Sequence, residues 1–365
     1  MPAPVINAIQ NHLDKEAKFG GYEAAEAATN EIETSYEDVG QLIGAKASNI
    51  AIVENATVAT SQALSAFEFN SGDVVITTNV DYSSNQIMLL NLKKRFGVEV
   101  IHAADAPKGG VDPNSIHSLI RKHSPKLMLM SWVPTNSGLV QDAHAVGKIC
   151  DEADVPYLLD ACQAVGQLPV NVTELKCDFL AATARKFLRG PRGLGFLYVS
   201  DQMLDQRLFP LYPDMRGAEW TSPNEFQITS DAKRFENWEF PYALVLGLGA
   251  AAKYADAVDI DIAGKRAQDL ATYTRQKLAP LSNVQVLDQG ENKCAIVTVG
   301  INGIDINGLV KKLRKESINT SSSERNHGVI DIDAKKEETA LRISPHYYNT
   351  IEEIDQAIEV LQSAV

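Results

Sequence analysis

Lys186 stands at the end of an unusual stretch, Phe179-Leu180-Ala181-Ala182-Thr183-Ala184-Arg185-Lys186, in which an apolar run of strand type gives way to a short polar turn. A lysine amine held in a pocket can condense with a carbonyl carbon, which makes it a nucleophile and a proton carrier in one group. Other polar side chains occupy equivalent positions along the chain. Asp160 closes the run Tyr157-Leu158-Leu159, and Gln163 follows three residues later. Asn136 comes after Leu127–Trp132, and Tyr82 and Asn85 come after Val74–Thr77. Asn55-Ala56-Thr57 follows Ile52-Val53 and opens a helix expected to run to Phe69. In open α/β sheets ligands bind beyond the carboxyl ends of the strands, so these residues are expected to meet on one rim.

The elements that must position them follow from hydrophobic pattern. Short continuous apolar runs, each bounded by turn residues, alternate with amphipathic stretches, which predicts a mostly parallel sheet covered on both faces. Strands are predicted at Val74–Thr77, Val98–His102, Leu127–Trp132, Tyr157–Leu159, Phe179–Ala182 and Gly195–Val199. Intervening helices are predicted at Asn85–Phe96, Ile116–His123 and Ala143–Ala153. After Asp231 the texture changes. Helices are expected at Tyr242–Ala257, Ile262–Leu278, Ile306–Lys315 and Ile351–Gln362, with strands at Ala295–Val299 and Leu341–Ser344. The prediction is a large domain of residues 1–257, N-terminal segment included, and a small α+β domain of residues 258–365. Thr320–Thr339 reads as a long polar loop, and loops of that length are often functional.

Pyridoxal 5′-phosphate (PLP) needs such a set of groups. Its aldehyde requires a lysine, its pyridinium nitrogen a carboxylate, its phosphate the N–H groups of a helix start with hydroxyls or a cation, and its ring a flat side chain. The stretch Asp160-Ala161-Cys162-Gln163, then Thr183-Ala184-Arg185-Lys186, then Gly190-Pro191-Arg192-Gly193-Leu194-Gly195 resembles the signature of class V aminotransferases and cysteine desulfurases, which are fold-type I PLP enzymes. The resemblance extends through Asn55-Ala56-Thr57, Asp81-Tyr82-Ser83-Ser84-Asn85 and Thr135-Asn136-Ser137-Gly138 to Leu341-Arg342-Ile343-Ser344-Pro345-His346. It implies Lys186 as the Schiff-base lysine, Asp160 as partner of the pyridinium nitrogen, and Gln163 and Asn136 as partners of the ring's phenolic oxygen. It further implies Tyr82 stacked on the ring, with Ala56, Thr57, Thr183 and Arg185 holding the phosphate. Arg342 would then clamp the substrate carboxylate in a two-point fork. His346 and His327 are candidates for the mouth of the site, with solvated loop histidines as the alternative reading of both. Arg325, Trp238 and Glu239 are weaker candidates. The glycines from Gly190 to Gly195 precede a strand and no helix, so they shape a turn and are not a dinucleotide fingerprint.

One departure bears on the reaction. Cysteine desulfurases carry a nucleophilic cysteine on a loop of the small domain, whereas the stretch from Ser317 to Thr339 contains none. Asn237-Trp238-Glu239 also stands where desulfurases have a small Gly-Thr pair from the partner subunit. The Ile318-Asn319-Thr320-Ser321 and His346-Tyr347-Tyr348-Asn349-Thr350 pieces are closer to the lyase and isopenicillin N epimerase-like branch. The expected activity is a PLP-dependent lyase on a sulfur-bearing or β-substituted amino acid. An aminotransferase is the alternative, and a desulfurase or a non-catalytic binding protein is further off.

Bulk properties exclude other classes. The chain has 365 residues, 45% hydrophobic content and a net charge of -13. Nucleic acid and anionic membrane surfaces both require a basic face, so neither is an expected partner. Cys150, Cys162, Cys177 and Cys294 form no C-x-x-C pair, which argues against a zinc site or a disulfide framework. No basic segment followed by an apolar core opens the chain, and no apolar stretch reaches about 20 residues. A cytoplasmic protein acting on an amino acid, with no metal, is the expectation, and the resemblance implies a homodimer.

Overall fold

A computed structural model describes residues 1–363. Its centre is a seven-stranded sheet formed by β1 (Ile50–Val53), β2 (Val74–Thr77), β3 (Glu99–His102), β4 (Leu127–Ser131), β5 (Tyr157–Asp160), β6 (Phe179–Thr183) and β7 (Gly195–Val199), in the order β1-β7-β6-β5-β4-β2-β3. All pairings are parallel except those of β7, which runs antiparallel to both β6 and β1. Every residue of β1, β2, β4, β5, β6 and β7 is buried, as expected of strands covered on both faces. The strand order places the carboxyl ends of β2, β4, β5 and β6 on one rim.

The antiparallel β7 organises that rim. Gly195 pairs with Thr183 on one side and Val53 on the other, so the turn after β6 and the turn after β1 lie side by side. A Cβ at Gly195 would overlap the Ala182 carbonyl oxygen and approach Asn55 Cα to 3.0 Å, and glycine is what this close approach admits.

A hairpin of β8 (Ala218–Ser222) and β9 (Glu225–Ile228) follows. The chain then enters the Tyr242–Ala257 and Ile260–Leu278 helices and a four-stranded antiparallel sheet. That sheet contains β10 (Val284–Val286), β11 (Val297–Ile301), β12 (Ser321–Glu324) and β13 (Thr339–Ile343), in the order β10-β11-β13-β12. A large, mainly parallel sheet with a smaller antiparallel α+β unit is the architecture predicted from sequence.

Several local expectations are corrected. Residues 320–339 are no loop: they contain β12, a short 3₁₀ turn (Arg325–His327) and a helix (Val329–Lys335). Polar residues make a strand here because β12 lies at the sheet edge and takes its register from backbone pairing with β13. The helix after Asn55 stops at Ser65 and does not reach Phe69. The strand expected at Ala295–Val299 is shifted to Val297–Ile301, and that expected at Leu341–Ser344 starts at Thr339 and ends at Ile343. Three N-terminal helices, Ala3–Phe19, Gly21–Ala27 and Thr29–Ile43, precede the first strand, and neither they nor the β8–β9 hairpin was assigned from the sequence pattern. No helix among the described residues is long and apolar enough to cross a membrane.

Candidate active site

Two cavities, of about 520 Å³ and about 400 Å³, meet at the rim and share Tyr82, Arg185 and Lys186. The larger is lined by Asn55, Ala56, Thr57, Asn85, Asp160, Cys162, Thr183 and Arg192, among others. The smaller is lined by Thr135, Gln163, Phe187, Ser321, Arg342, Ser344 and His346. Lys186 stands at the waist of the cleft, partly buried, with its Nζ over the Tyr82 ring at 5.8 Å from the centroid. It has no hydrogen-bond or ion-pair partner among the described residues.

Asp160 ends β5 on the floor of the larger cavity and is only 6% exposed. Asn85 Nδ2 donates to its Oδ2 at 3.0 Å, and the Cys162 amide donates to its Oδ1 at 2.9 Å. Ser131, beside Asp160 in the β4–β5 register, donates through its hydroxyl to Oδ2 at 3.4 Å and accepts from the Tyr82 amide at 3.1 Å. Ser131 is itself fixed by Asp81, whose carboxylate accepts its amide and those of both Thr78 groups, N–H and O–H. Burial pushes the Asp81 carboxyl up. Asp160 thus has neutral donors and no cationic partner among the described residues, so a protonated ring nitrogen would complete it.

The helix that starts at Ala56 turns its first amides toward the larger cavity. Asn55 Oδ1 caps it by accepting the Val58 amide at 3.0 Å, a contact worth about 1 kcal/mol. The Ala56 and Thr57 amides have no acceptor among the described residues and belong to the first turn, where N–H groups point out of the helix. Thr183 and the exposed Arg185 line the same space.

At the other end of the cleft, Arg342 extends from β13. Its Nη1 donates to the Thr135 carbonyl at 2.8 Å, its Nε to Ser344 Oγ at 3.0 Å, and its Nη2 to Gln163 Oε1 at 3.5 Å. Burial pushes the guanidinium down to about 10, so it keeps its charge at neutral pH. No carboxylate pairs with it among the described residues. A bidentate carboxylate would meet that deficit.

The arrangement brings together Ala56, Thr57, Tyr82, Asp160, Gln163, Thr183, Arg185, Lys186, Arg342 and His346. It leaves out Asn136, which is buried, lines neither cavity and packs against Gly328, where a Cβ would overlap its Nδ2. Its neighbour Thr135 faces the cleft instead. His346 lines the cavity, yet Nδ1 accepts the Tyr347 amide at 3.0 Å and Nε2 lies 3.1 Å from the Phe187 carbonyl. Both ring nitrogens are therefore engaged by backbone, and burial pushes the imidazole down to about 4. His327 is exposed and accepts the Glu324 amide, Arg325 pairs with Asp333, and Trp238 is exposed. Ser131, Thr135, Ser321 and Arg192 were missed from the sequence as site residues. Arg192 sits inside the Gly190–Gly195 run, whose glycine spacing reports only a turn.

PLP fits this site on its charges. Among the described residues the Asp160 carboxylate has no cationic partner, the Arg185 and Arg342 guanidinia have no carboxylate partner and the Ala56 and Thr57 amides have no acceptor, which complements a pyridinium nitrogen, a phosphate and a substrate carboxylate.

Comparisons with known proteins agree. A probable cysteine desulfurase of Methanothermobacter thermautotrophicus is 27% identical over 372 residues, covering 99% of this chain and 91% of that protein. A cysteine desulfurase of Mannheimia succiniciproducens is 32% identical over 194 residues, 52% of this chain and 46% of its own. The solved apo cysteine desulfurase of Thermococcus onnurineus superimposes with a TM-score of 0.91 at 23% identity, covering 100% of this chain and 91% of that one. A cystine C–S lyase solved with its product cysteine persulfide gives a TM-score of 0.87 at 20% identity, over 99% and 94% of the two chains. The family model for aminotransferase class-V matches residues 1–357, and the chain belongs to that family of PLP-dependent enzymes.

Proposed function

We propose that the protein is a lyase that breaks the Cβ–S bond, or another bond to a β-leaving group, of an α-amino acid without passing sulfur to a cysteine of its own. The observation that carries this reading is Ser321. It is the register partner of Arg342 where β12 pairs with β13, lines the substrate end of the cleft and belongs to an ordered strand that contains no thiol. Curated relatives are named cysteine desulfurases, which supports a substrate of the cysteine class. The four thiols here are poor substitutes for a loop cysteine. Burial pushes Cys150 and Cys294 up to about 12 and Cys162 up to about 11, and Cys177 is raised as well. A thiolate is the nucleophile in such chemistry, and these groups stay protonated at neutral pH.

Bound PLP would supply an electron sink for the pair released at Cα. The chain does the rest. Arg342 holds the α-carboxylate and orients the Cα–H bond. Lys186 Nζ would carry the cofactor, then take the α-proton as the β-group leaves with the electron pair of its bond to Cβ, and pass that proton to the leaving group. Asp160 would hold the ring nitrogen, Tyr82 would cover one ring face, and the Ala56 and Thr57 amides with Thr183 and Arg185 would hold the phosphate. Gln163 and Asn136 are the residues proposed for the phenolic oxygen, Gln163 from the cavity wall and Asn136 only after a change in side-chain direction.

We assign residues 1–257 and 258–365 to the two domains, the protein to the cytoplasm, and its assembly to a homodimer without nucleic acid. The exposed Leu211, Tyr212, Met215, Trp220 and Phe226, all within residues 211–226, support a second copy as their cover. An aminotransferase shares the same residues up to proton removal. A panel of amino acids and cysteine conjugates, assayed for keto acid and ammonia with no amino acceptor added, tests the lyase reading. Turnover that requires an added keto acid supports the aminotransferase.

A further inference from the structure

The loop from Ala184 to Leu194 is pinned at its base. The Ala184 amide donates to the Leu194 carbonyl at 3.0 Å, and the Gly190 amide donates back to the Ala184 carbonyl at 2.8 Å. One residue inside one end of the loop is Arg185, and two residues inside the other is Arg192. Both line the larger cavity together with Ala56, Thr57 and Thr183. Arg192 is exposed and has no hydrogen-bond or ion-pair partner among the described residues. Glu54, which lines the same cavity, accepts instead from Asn237 Nδ2 at 3.2 Å.

We propose that Arg192 is a second guanidinium ligand of the PLP phosphate, acting beside Arg185 above the helix that starts at Ala56. Charge arithmetic supports two cations. A phosphate monoester carries about −1.5 to −2 at neutral pH. One helix N-terminus offers about +0.5, and Arg185 adds one charge. The remainder is about half a charge for the dianion, and a second guanidinium meets it while adding a fork matched to phosphate oxygens. The hydroxyl of Thr183, 3.4 Å from the Leu194 carbonyl, is the neutral member of the set. Arg192 thereby becomes a determinant of cofactor form: it separates PLP from pyridoxal, which has the same ring and aldehyde but no phosphate.

The inference rests on the PLP reading, and the experiment separates the two. Holoenzyme is stripped of cofactor with hydroxylamine, and dissociation constants for PLP and for pyridoxal are measured by titration of wild type, Arg192→Gln and Arg185→Gln. Inorganic phosphate is used as a competitor, and the ³¹P resonance of bound PLP is recorded. Loss of one charge-assisted fork should raise the PLP constant about tenfold or more in each variant. It should leave the pyridoxal constant within about twofold, weaken competition by phosphate and move the ³¹P resonance. A PLP constant within about twofold of wild type for Arg192→Gln overturns the proposal, as does a parallel loss of PLP and pyridoxal binding, which would mark a structural role. Where Arg192→Gln fails to fold, Arg192→Met, which keeps the length of the side chain and loses both charge and fork, must show the same selective loss of PLP over pyridoxal; constants equal to wild type overturn the proposal. Failure of wild type to take up PLP overturns the cofactor reading itself.

Discussion

Asn85 Nδ2 donates to Asp160 Oδ2 at 3.0 Å, tying the helix after β2 to the carboxylate at the end of β5. Both side chains are buried, so the bond is shielded from competing water. Asn85→Ala should lower turnover about tenfold or more, because one donor of about 1.5–3 kcal/mol is lost and the carboxylate is freer to swing. Asp160→Ala should cost about 10²-fold or more while some PLP is retained through the phosphate site. Turnover and PLP content of the two variants check this. Near-normal turnover in Asp160→Ala would reduce that residue to a structural acceptor.

Arg342→Lys should act on substrate and spare cofactor. The lysine cannot make the planar fork, so KM is expected to rise about tenfold or more while PLP affinity holds. Steady-state kinetics alongside a PLP titration decide it. A fall in PLP affinity at unchanged KM would move Arg342 to the cofactor.

The site was only partly legible in the amino-acid sequence, for physical reasons. Lys186, Asp160 and Arg342 each follow or occupy an apolar run whose strand character shows in its residue types. Ser131 and Thr135 were invisible because they act through a register and a backbone carbonyl, which no side-chain pattern reports. The polar strand at Ser321–Glu324 lacks a continuous apolar run, since it pairs along one edge only and has one buried side chain, Ser323. The Thr29–Ile43 helix does show helical spacing at Ile32, Tyr36, Val39 and Ile43, but it carries no chemistry-bearing residue at a strand end.

Replacing Cys150, Cys162, Cys177 and Cys294 one at a time with Ala or Ser should leave sulfur release from a cysteine conjugate in place. Cys162 sits beside Asp160 and lines the cofactor cavity, so its variant should shift PLP absorbance or affinity without abolishing release. Mass spectrometry of trapped wild-type enzyme should find no persulfide on any of the four. A variant with intact cofactor absorbance and no sulfur release, matched by a persulfide on that cysteine in wild type, would make the protein a desulfurase.

His346 should make stability fall in acid. Its imidazole is pushed down to about 4 in the fold by burial, against about 6.5 when unfolded. The unfolded chain therefore binds the proton first. The contribution is complete above pH 6.5 and is lost as pH falls toward 4, at a slope of at most about 1.4 kcal/mol per pH unit. Urea unfolding at pH 7, 6, 5 and 4.5 should show a shallower acid loss for His346→Gln than for wild type. Parallel curves would mean the histidine is reached by water and protonates in place.

The most direct measurement of the central claim is the product balance of wild type and Lys186→Ala with a cysteine conjugate and no added keto acid. Wild type should release keto acid, ammonia and the sulfur product in equal amounts over many turnovers, form no alanine and keep its cofactor absorbance. Lys186→Ala should fall by about 10³-fold or more, since nucleophile and base are lost together. Alanine in place of keto acid, a single turnover rescued only by added keto acid, or undiminished release by Lys186→Ala would each contradict the account.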